Sequence, residues 1–547
     1  MLIDARNVPQ DGVVRGDVCI IGAGAAGISI AWALRDTPLR VVLLESGAFA
    51  PHPATQALYR GRTVGREYFP LDGCRVRTFG GSTQRWGGWC RSLDSSDFEL
   101  RSWLPGSGWP LSRQDLACHY QRARQMCQLT VTEGEIDHGP PLPGRPRLAG
   151  SHPALATVVY QFSPPTRFGQ TYRAGLAAAK NVDGYLSANV IDLEGGEHGG
   201  PITAARVSTL AGSTFRVEAP TFVLAAGGIE NARLLLASNA VRPAGLGNEN
   251  DLVGRFFMEH LHVRLGCFVP AHAEANLSLY VQGRRSVKRP LGGLTVAPEA
   301  RPARGVYGFS AVFFVPRHRS VAKVLQHQAE RQDQWALHGV SIAQGGAIGF
   351  GLRVLDKLSR DAQEVNARAN HAAPSLMGDP IYEIMGRGEQ SPNRESRVTI
   401  VRARDRLGMP MAELDWRVRR ADLTNIRTSL ETIGESLAAI GAGRLHMPTD
   451  PDMAWAQRII GSWHHMGTTR MHADPREGVV DADCRVHAVP NLYIAGSSVF
   501  PTGGYANPTL TIVALALRLA DHLVKRAADG RTMAVATTNA EKVVSGQ

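Results

Sequence analysis

The hydrophobic pattern opens with a short unbroken apolar run, Asp17-Val-Cys-Ile-Ile21, of the length and β-branched character of a buried strand. A small-residue segment from Ile28 to Leu34 follows with helical character, and a second apolar run, Arg40-Val-Val-Leu-Leu-Glu45, ends on an acid. Strand, helix, strand in this order is the start of a doubly wound α/β sheet. The chain then becomes loop-rich to about Leu111. A helix is expected from near Ser112, where Ser112 and Asp115 fit a capping box and Leu116, Tyr120 and Ala123 share a face.

Strand-like runs recur from Val190 to Ala226 and end in Thr221-Phe-Val-Leu-Ala-Ala-Gly-Gly228, with a helix expected through Leu234 to Ala237. Residues 270–454 mix strand-like pieces (Val306–Val315, Ser396–Val401, Met411–Val418) with a more helical stretch near 318–369 and a helix from about Leu423 to Ile440. Asn491–Ala495 reads as a buried strand, an apolar helix runs to about Leu523, and the tail from about Ala528 is small and polar. Nucleotide-binding elements thus fall at the start, middle and end of the chain, with other material between them.

Composition narrows the partners. The chain has 547 residues and a formal charge of +11, but its basic residues are scattered, with no Lys/Arg-rich run and no nucleic-acid motif. The charge reads as solvated surface, and no nucleic-acid partner is expected. Seven cysteines show no CxxC pair, which fits reduced thiols in a cytoplasm. The N-terminus is polar and carries acids, unlike a signal peptide, and no apolar run approaches the ~20 residues of a membrane span. A cytoplasmic location is expected.

Gly22, Gly24 and Gly27 form GxGxxG between strand and helix. The first glycine makes the tight turn, the second lets the backbone approach a pyrophosphate, and the third permits close helix–strand packing. Glu45 lies 23 residues beyond Gly22 at a strand end, placed to accept ribose hydroxyls and unfavourable to a 2′-phosphate. The motif alone does not choose between FAD and NAD.

A second constellation lies near the C-terminus: Gly461-Ser-Trp-His-His-Met-Gly-Thr-Thr469, then the strand ending at Gly496, then Gly504-Tyr-Ala-Asn-Pro-Thr509 before the apolar helix. Two readings compete for Asn507. It suits the N-cap of that helix, with Pro508 at its first position, and it is equally a polar group at a site. His464 and His465 are candidates for acid/base work, with no metal-ligand spacing around them.

Taken together, GxGxxG, His464-x-x-Gly467-Thr and Pro501-Thr…Asn507-Pro-Thr-Leu-Thr511 resemble the glucose–methanol–choline (GMC) oxidoreductases. The resemblance extends over Phe79-Gly-Gly-Ser82, Gly227-Gly-Ile-Glu-Asn231 and Gly254-Arg-Phe-Phe-Met-Glu-His260, nearest the pyranose oxidase and bacterial sugar or polyol dehydrogenase branch. It implies an FAD-dependent enzyme that oxidises a sugar, polyol, glycoside or aminosugar-like alcohol by hydride transfer to flavin N5. His464 would be the base and Asn507 its partner, with His465 in a variable slot. Expected FAD contacts are Gly22, Gly24, Gly27, Glu45, Gly80, Gly81, Ser82, Arg85, Trp86, Val190, Ala226, Gly227, Gly496, Asn507, Pro508 and Thr509. Arg85 stands where pyranose oxidases offer a flavin-linked histidine, so non-covalent FAD is expected. The expected fold is α/β: a Rossmann-like FAD-binding domain (1–95, 185–269, 455–530) interleaved with an α+β substrate-binding domain containing an antiparallel sheet (96–184, 270–454), then a flexible tail at 531–547. A flavin-bearing lyase on the same scaffold is the alternative, and the electron acceptor (oxygen, quinone or protein) is left open.

Overall fold

The computed structural model of the chain describes residues 1–130, 144–148, 152–195, 200–281, 289–316, 320–330, 380–449 and 453–544. A six-stranded, all-parallel sheet runs in the order Leu2–Asp4, Val182–Leu186, Val41–Glu45, Val18–Ile21, Thr221–Leu224 and Leu492–Ile494. Every residue of Val18–Ile21 and Val41–Glu45 is buried, the signature of parallel strands covered on both faces. The helices Ala25–Leu34 and Thr509–Val544 pack against each other beside this sheet.

A seven-stranded antiparallel sheet forms the second layer, in the order Gly443–His446, His260–Pro270, Tyr382–Glu389, Phe309–Phe314, Leu291–Val296, Leu155–Phe162 and Trp89–Cys90. The helix Arg420–Ala439 packs against it. The fold is therefore Rossmann-like α/β joined to an antiparallel sheet, as expected from the sequence. Two of the expected boundaries, at 185 and 270, cut strands: Val182–Leu186 belongs to the parallel sheet and His260–Pro270 to the antiparallel one. Sheet pairing defines these units, and the composition does not change where one hands over to the other.

The capping box at Ser112 is present, with the Ser112 amide donating to Asp115 (2.8 Å) and the Asp115 amide to the Ser112 hydroxyl (3.3 Å). The helix expected to end near Leu523 continues to Val544. Its later residues are rich in Ala, Val and Thr, and a small polar composition does not stop a helix when proline is absent. Most of the helical stretch expected near 318–369 lies outside the described residues, which hold the helix Val321–Glu330.

The motif's third glycine is fixed by packing. A Cβ at Gly27 would lie 1.8 Å from the Gly22 carbonyl oxygen, a backbone atom that cannot swing aside. Gly27→Ala is expected to destabilise the chain by about 1–3 kcal/mol or more through overpacking. Thermal unfolding checks this, and an unchanged midpoint would contradict it.

Candidate active site

One cavity collects most of the expected cofactor residues. Gly22, Gly24, Glu45, Gly81, Ser82, Arg85, Trp86, Val190, Ala226, Gly227, Gly496, Pro508 and Thr509 line it, and His464, His465 and Asn507 line the same cavity. Gly27 and Gly80 stand behind the wall. Gly80, in the left-handed region at φ +101°, donates its amide to the Ala23 carbonyl (2.7 Å) and abuts Gly169.

The shape fits a dinucleotide. A Cβ placed on Gly24, Gly227 or Gly496 meets no protein atom within 4 Å, so the backbone at three wall positions is bare toward open space. Glu45 is buried, which raises its pKa, while its two oxygens accept from the Gly47 amide (2.7 Å) and the Ala23 amide (2.9 Å). Each oxygen keeps acceptor capacity for a hydroxyl. Three wall donors, Arg77 Nε, Arg85 Nη1 and Trp463 Nε1, are buried without a hydrogen-bond partner among the described residues. Burial lowers the Arg85 pKa, and an anionic group in the cavity would relieve that cost.

The far end is built by a length mismatch. Met258 pairs antiparallel with Met466 and His262 with Ile460, so residues 259–261 face the longer stretch 461–465. The surplus is a bulge, and Trp463 takes φ +61° within it, a costly conformation for a bulky residue. Amides in such a bulge lack ladder partners. Glu259, fully buried, supplies them: its Oε2 accepts from Ser462 (2.9 Å) and His464 (3.0 Å) in the bulge, and also from His260 (3.2 Å) on the shorter stretch. Tyr68 donates its hydroxyl to Oε1 and accepts from His465 Nε2 at 2.9 Å. Burial pushes the Glu259 carboxyl up to about 7 against these donors, which pull it down. His465 is thereby a structural partner of Tyr68.

His464 Nε2 meets Asn507 Nδ2 at 3.4 Å, which brings together the two residues paired by the sequence. Asn507 does not cap the helix as one reading held. The helix begins at Thr509, and the Pro508 carbonyl accepts its first turn bond from Ile512 (2.8 Å). That leaves the Asn507 amide free, and its Oδ1 accepts from Arg387 Nη1. Register supplies the arginine: Arg387 and His262 are direct cross-strand partners, and Arg387 Nε donates to His262 Nε2 at 2.8 Å. On the other side, His464 Nδ1 lies 2.8 Å from His260 Nδ1. Burial, then His260, Arg387, His262 and His465, hold the His464 pKa well below the ordinary value of 6.5.

Sequence reasoning missed Glu259, His260, His262 and Arg387 as parts of this site. Glu259 and His260 stood inside the quoted Gly254–His260 segment, and the acid beside a histidine was the available signal. Nothing local marks Arg387, whose place depends on strand register.

Because a side chain at position 24 would fill only open space, Gly24→Val is expected to fold normally and lose FAD. The check is an unfolding midpoint measured on the apoprotein, together with the flavin absorbance of purified protein. A fully yellow variant would contradict the assignment.

The FAD dependent oxidoreductase profile matches residues 17–245 and the GMC oxidoreductase C-terminal profile residues 392–516. The 2-methyl-1,2-propanediol dehydrogenase of Mycolicibacterium austroafricanum is 23% identical over 94% of this chain and 96% of that protein. The 6'''-hydroxyparomomycin C oxidase of Streptomyces lividus is 26% identical over 93% of this chain and 92% of its own length. Among solved structures, pyridoxine 4-oxidase from Mesorbium loti shares the fold with a TM-score of 0.52 at 18% identity, over 92% of this chain and 98% of that one. With the glycine-walled cavity and both profile matches on one fold, this chain carries a GMC oxidoreductase C-terminal domain and is an FAD-dependent oxidoreductase.

Proposed function

We propose that the chain oxidises a primary or secondary alcohol of the sugar, polyol, glycoside or aminosugar type, with His464 as base and Asn507 as the group that orients the substrate oxygen. The observation that carries this is the meeting of His464 Nε2 and Asn507 Nδ2 at 3.4 Å, both lining the cavity that the FAD-type glycines wall. Bound FAD supplies the two-electron acceptor. His464, kept neutral by burial and by Arg387, accepts the hydroxyl proton as the carbon–hydrogen bond breaks. Asn507 Nδ2 donates to the same oxygen and fixes its direction. Pro508 and Thr509 set the positive end of a long helix at the cavity wall, where it stabilises arriving negative charge. The names of the similar proteins, a propanediol dehydrogenase and a hydroxyparomomycin oxidase, support an alcohol substrate of this class.

The test is an anaerobic visible spectrum of purified protein titrated with a panel of sugars, polyols and aminoglycosides. Bleaching by a member of the panel supports the reading, and a flavin that no alcohol reduces overturns it. His464→Ala is expected to keep FAD and lose flavin reduction by about 10²–10⁴-fold. Rates equal to wild type would remove His464 as base. In the wild type the acid limb of kcat/KM should fall below pH 6.5, because the neutral form persists to lower pH than for an ordinary histidine.

We further propose that FAD is held without a covalent bond. The wall from Gly81 to Trp89 carries no histidine or cysteine, and Arg85 occupies the slot in question. Acid precipitation should release all yellow colour into the supernatant, whereas a coloured pellet would show a covalent link.

A further inference from the structure

The hydrogen-bond chain around His464 ends at both sides in groups that work in one direction only. A peptide carbonyl can only accept, and a guanidinium can only donate. On one side, His260 Nε2 lies 3.2 Å from the Gly503 carbonyl oxygen. That contact requires a hydrogen on His260 Nε2, which leaves Nδ1 of the neutral ring as a bare acceptor. His260 Nδ1 then accepts from His464 Nδ1–H across their 2.8 Å contact. His464 is left with an unprotonated Nε2, the nitrogen that faces Asn507 and the cavity. On the other side, Arg387 Nη1 donates to Asn507 Oδ1, so the amide cannot flip and its Nδ2 faces His464.

From these contacts we propose that His260 is a positioning residue that sets the tautomer of His464 and accepts its Nδ1 proton after the substrate proton arrives, while Arg387 fixes the Asn507 amide. The inference rests on the reading of His464 as base. Its proton count closes. The substrate hydroxyl proton goes to His464 Nε2, and the proton on His464 Nδ1 crosses to His260 Nδ1. His464 ends neutral with hydrogen on Nε2, and His260 ends as the imidazolium. In that imidazolium both ring nitrogens donate, Nε2 to the Gly503 carbonyl and Nδ1 to the vacated His464 Nδ1.

The terminal carbonyl is itself held. Thr502 Oγ1 donates to the Asp97 carbonyl (2.8 Å) and accepts from Trp109 Nε1 (2.9 Å), and Gly504 takes φ +54° to turn the chain. The groups facing the two rings are His262 from the strand of His260, Arg387 from the neighbouring strand, His465 from the bulge, and Glu389, the cross-strand partner of His260. Glu389 is committed to Arg101 through two 2.8 Å bonds. His260 therefore faces no free carboxylate among the described residues, and its ring is the acceptor for His464.

The direct test is ¹⁵N–¹H NMR of FAD-loaded protein labelled at histidine, with His464 assigned by loss of its signals in His464→Ala. The expected result is a protonated Nδ1 and a bare Nε2 on His464 at neutral pH. The opposite tautomer, or an imidazolium, overturns the proposal. Kinetics supply the second readout: His260→Leu removes the acceptor and should slow anaerobic flavin reduction by about 10²-fold with FAD retained. His260→Asn, whose Oδ1 can accept from the same nitrogen, should recover to within about tenfold of wild type. Wild-type reduction in His260→Leu, or an Asn variant as slow as the Leu variant, overturns the inference. If His260→Leu does not fold, the wild-type NMR result decides. A flavin reduced by alcohol and silenced by His464→Ala, yet indifferent to His260, removes only this inference. A flavin that no alcohol reduces removes the functional reading instead.

Discussion

One buried carboxylate holds the reactive end of the molecule in shape. Two backbone stretches of unequal length run side by side between Met258–Met466 and His262–Ile460, and the longer one must bulge. Without an internal acceptor, the bulge would strand amide donors away from water at a cost of about 1–3 kcal/mol each. Glu259 accepts from two of them, from the His260 amide of the shorter stretch and from Tyr68, so the loop that presents His464 is anchored through its backbone, leaving the imidazole itself free for chemistry. The same residue makes the site sensitive to protonation, since burial pushes the Glu259 carboxyl to about 7. It also explains why the aromatic Trp463 tolerates a left-handed backbone: the bonds on both sides of it are satisfied by one group.

Around that anchor, the two sheets divide the labour. The parallel sheet delivers bare backbone: Gly24, Gly227 and Gly496 sit just beyond the ends of three of its strands and open onto one cavity. The antiparallel sheet delivers side chains with fixed hydrogen-bond direction, because adjacent strands place Arg387 opposite His262 and Glu389 opposite His260. The interleaved sequence follows from this arrangement. A chain that crosses back and forth between the sheets brings residues from several distant segments to the wall of one cavity. Charge completes the picture on the cavity wall, where Glu230 is held ionised at about 2 by Arg233, Arg77 and Arg75 despite its burial.

Local signals were legible and long-range ones were not. Strand–GxGxxG–helix is a local pattern, so Gly22, Gly24 and Glu45 could be placed from spacing, and the structure puts all three on the cavity wall. His464 and Asn507 lie 43 residues apart and were brought together by family resemblance, not by physics visible in either segment. Arg387 shows the limit. It stands on a strand whose neighbour is 125 residues away in sequence, and its contact with Asn507 spans 120 more. Register of that kind follows from the whole sheet. The Asn507 cap reading failed for a related reason: a residue before proline suits a cap locally, but Arg387 and His464 claim its amide.

The most direct measurement is the anaerobic rate of flavin reduction at saturating alcohol, compared between a substrate carrying hydrogen and one carrying deuterium on the hydroxyl-bearing carbon. If the carbon's hydrogen leaves as hydride while His464 takes the hydroxyl proton, the deuterated substrate reduces the flavin markedly more slowly. Equal rates for the two would contradict hydride transfer as the step this site is built to promote.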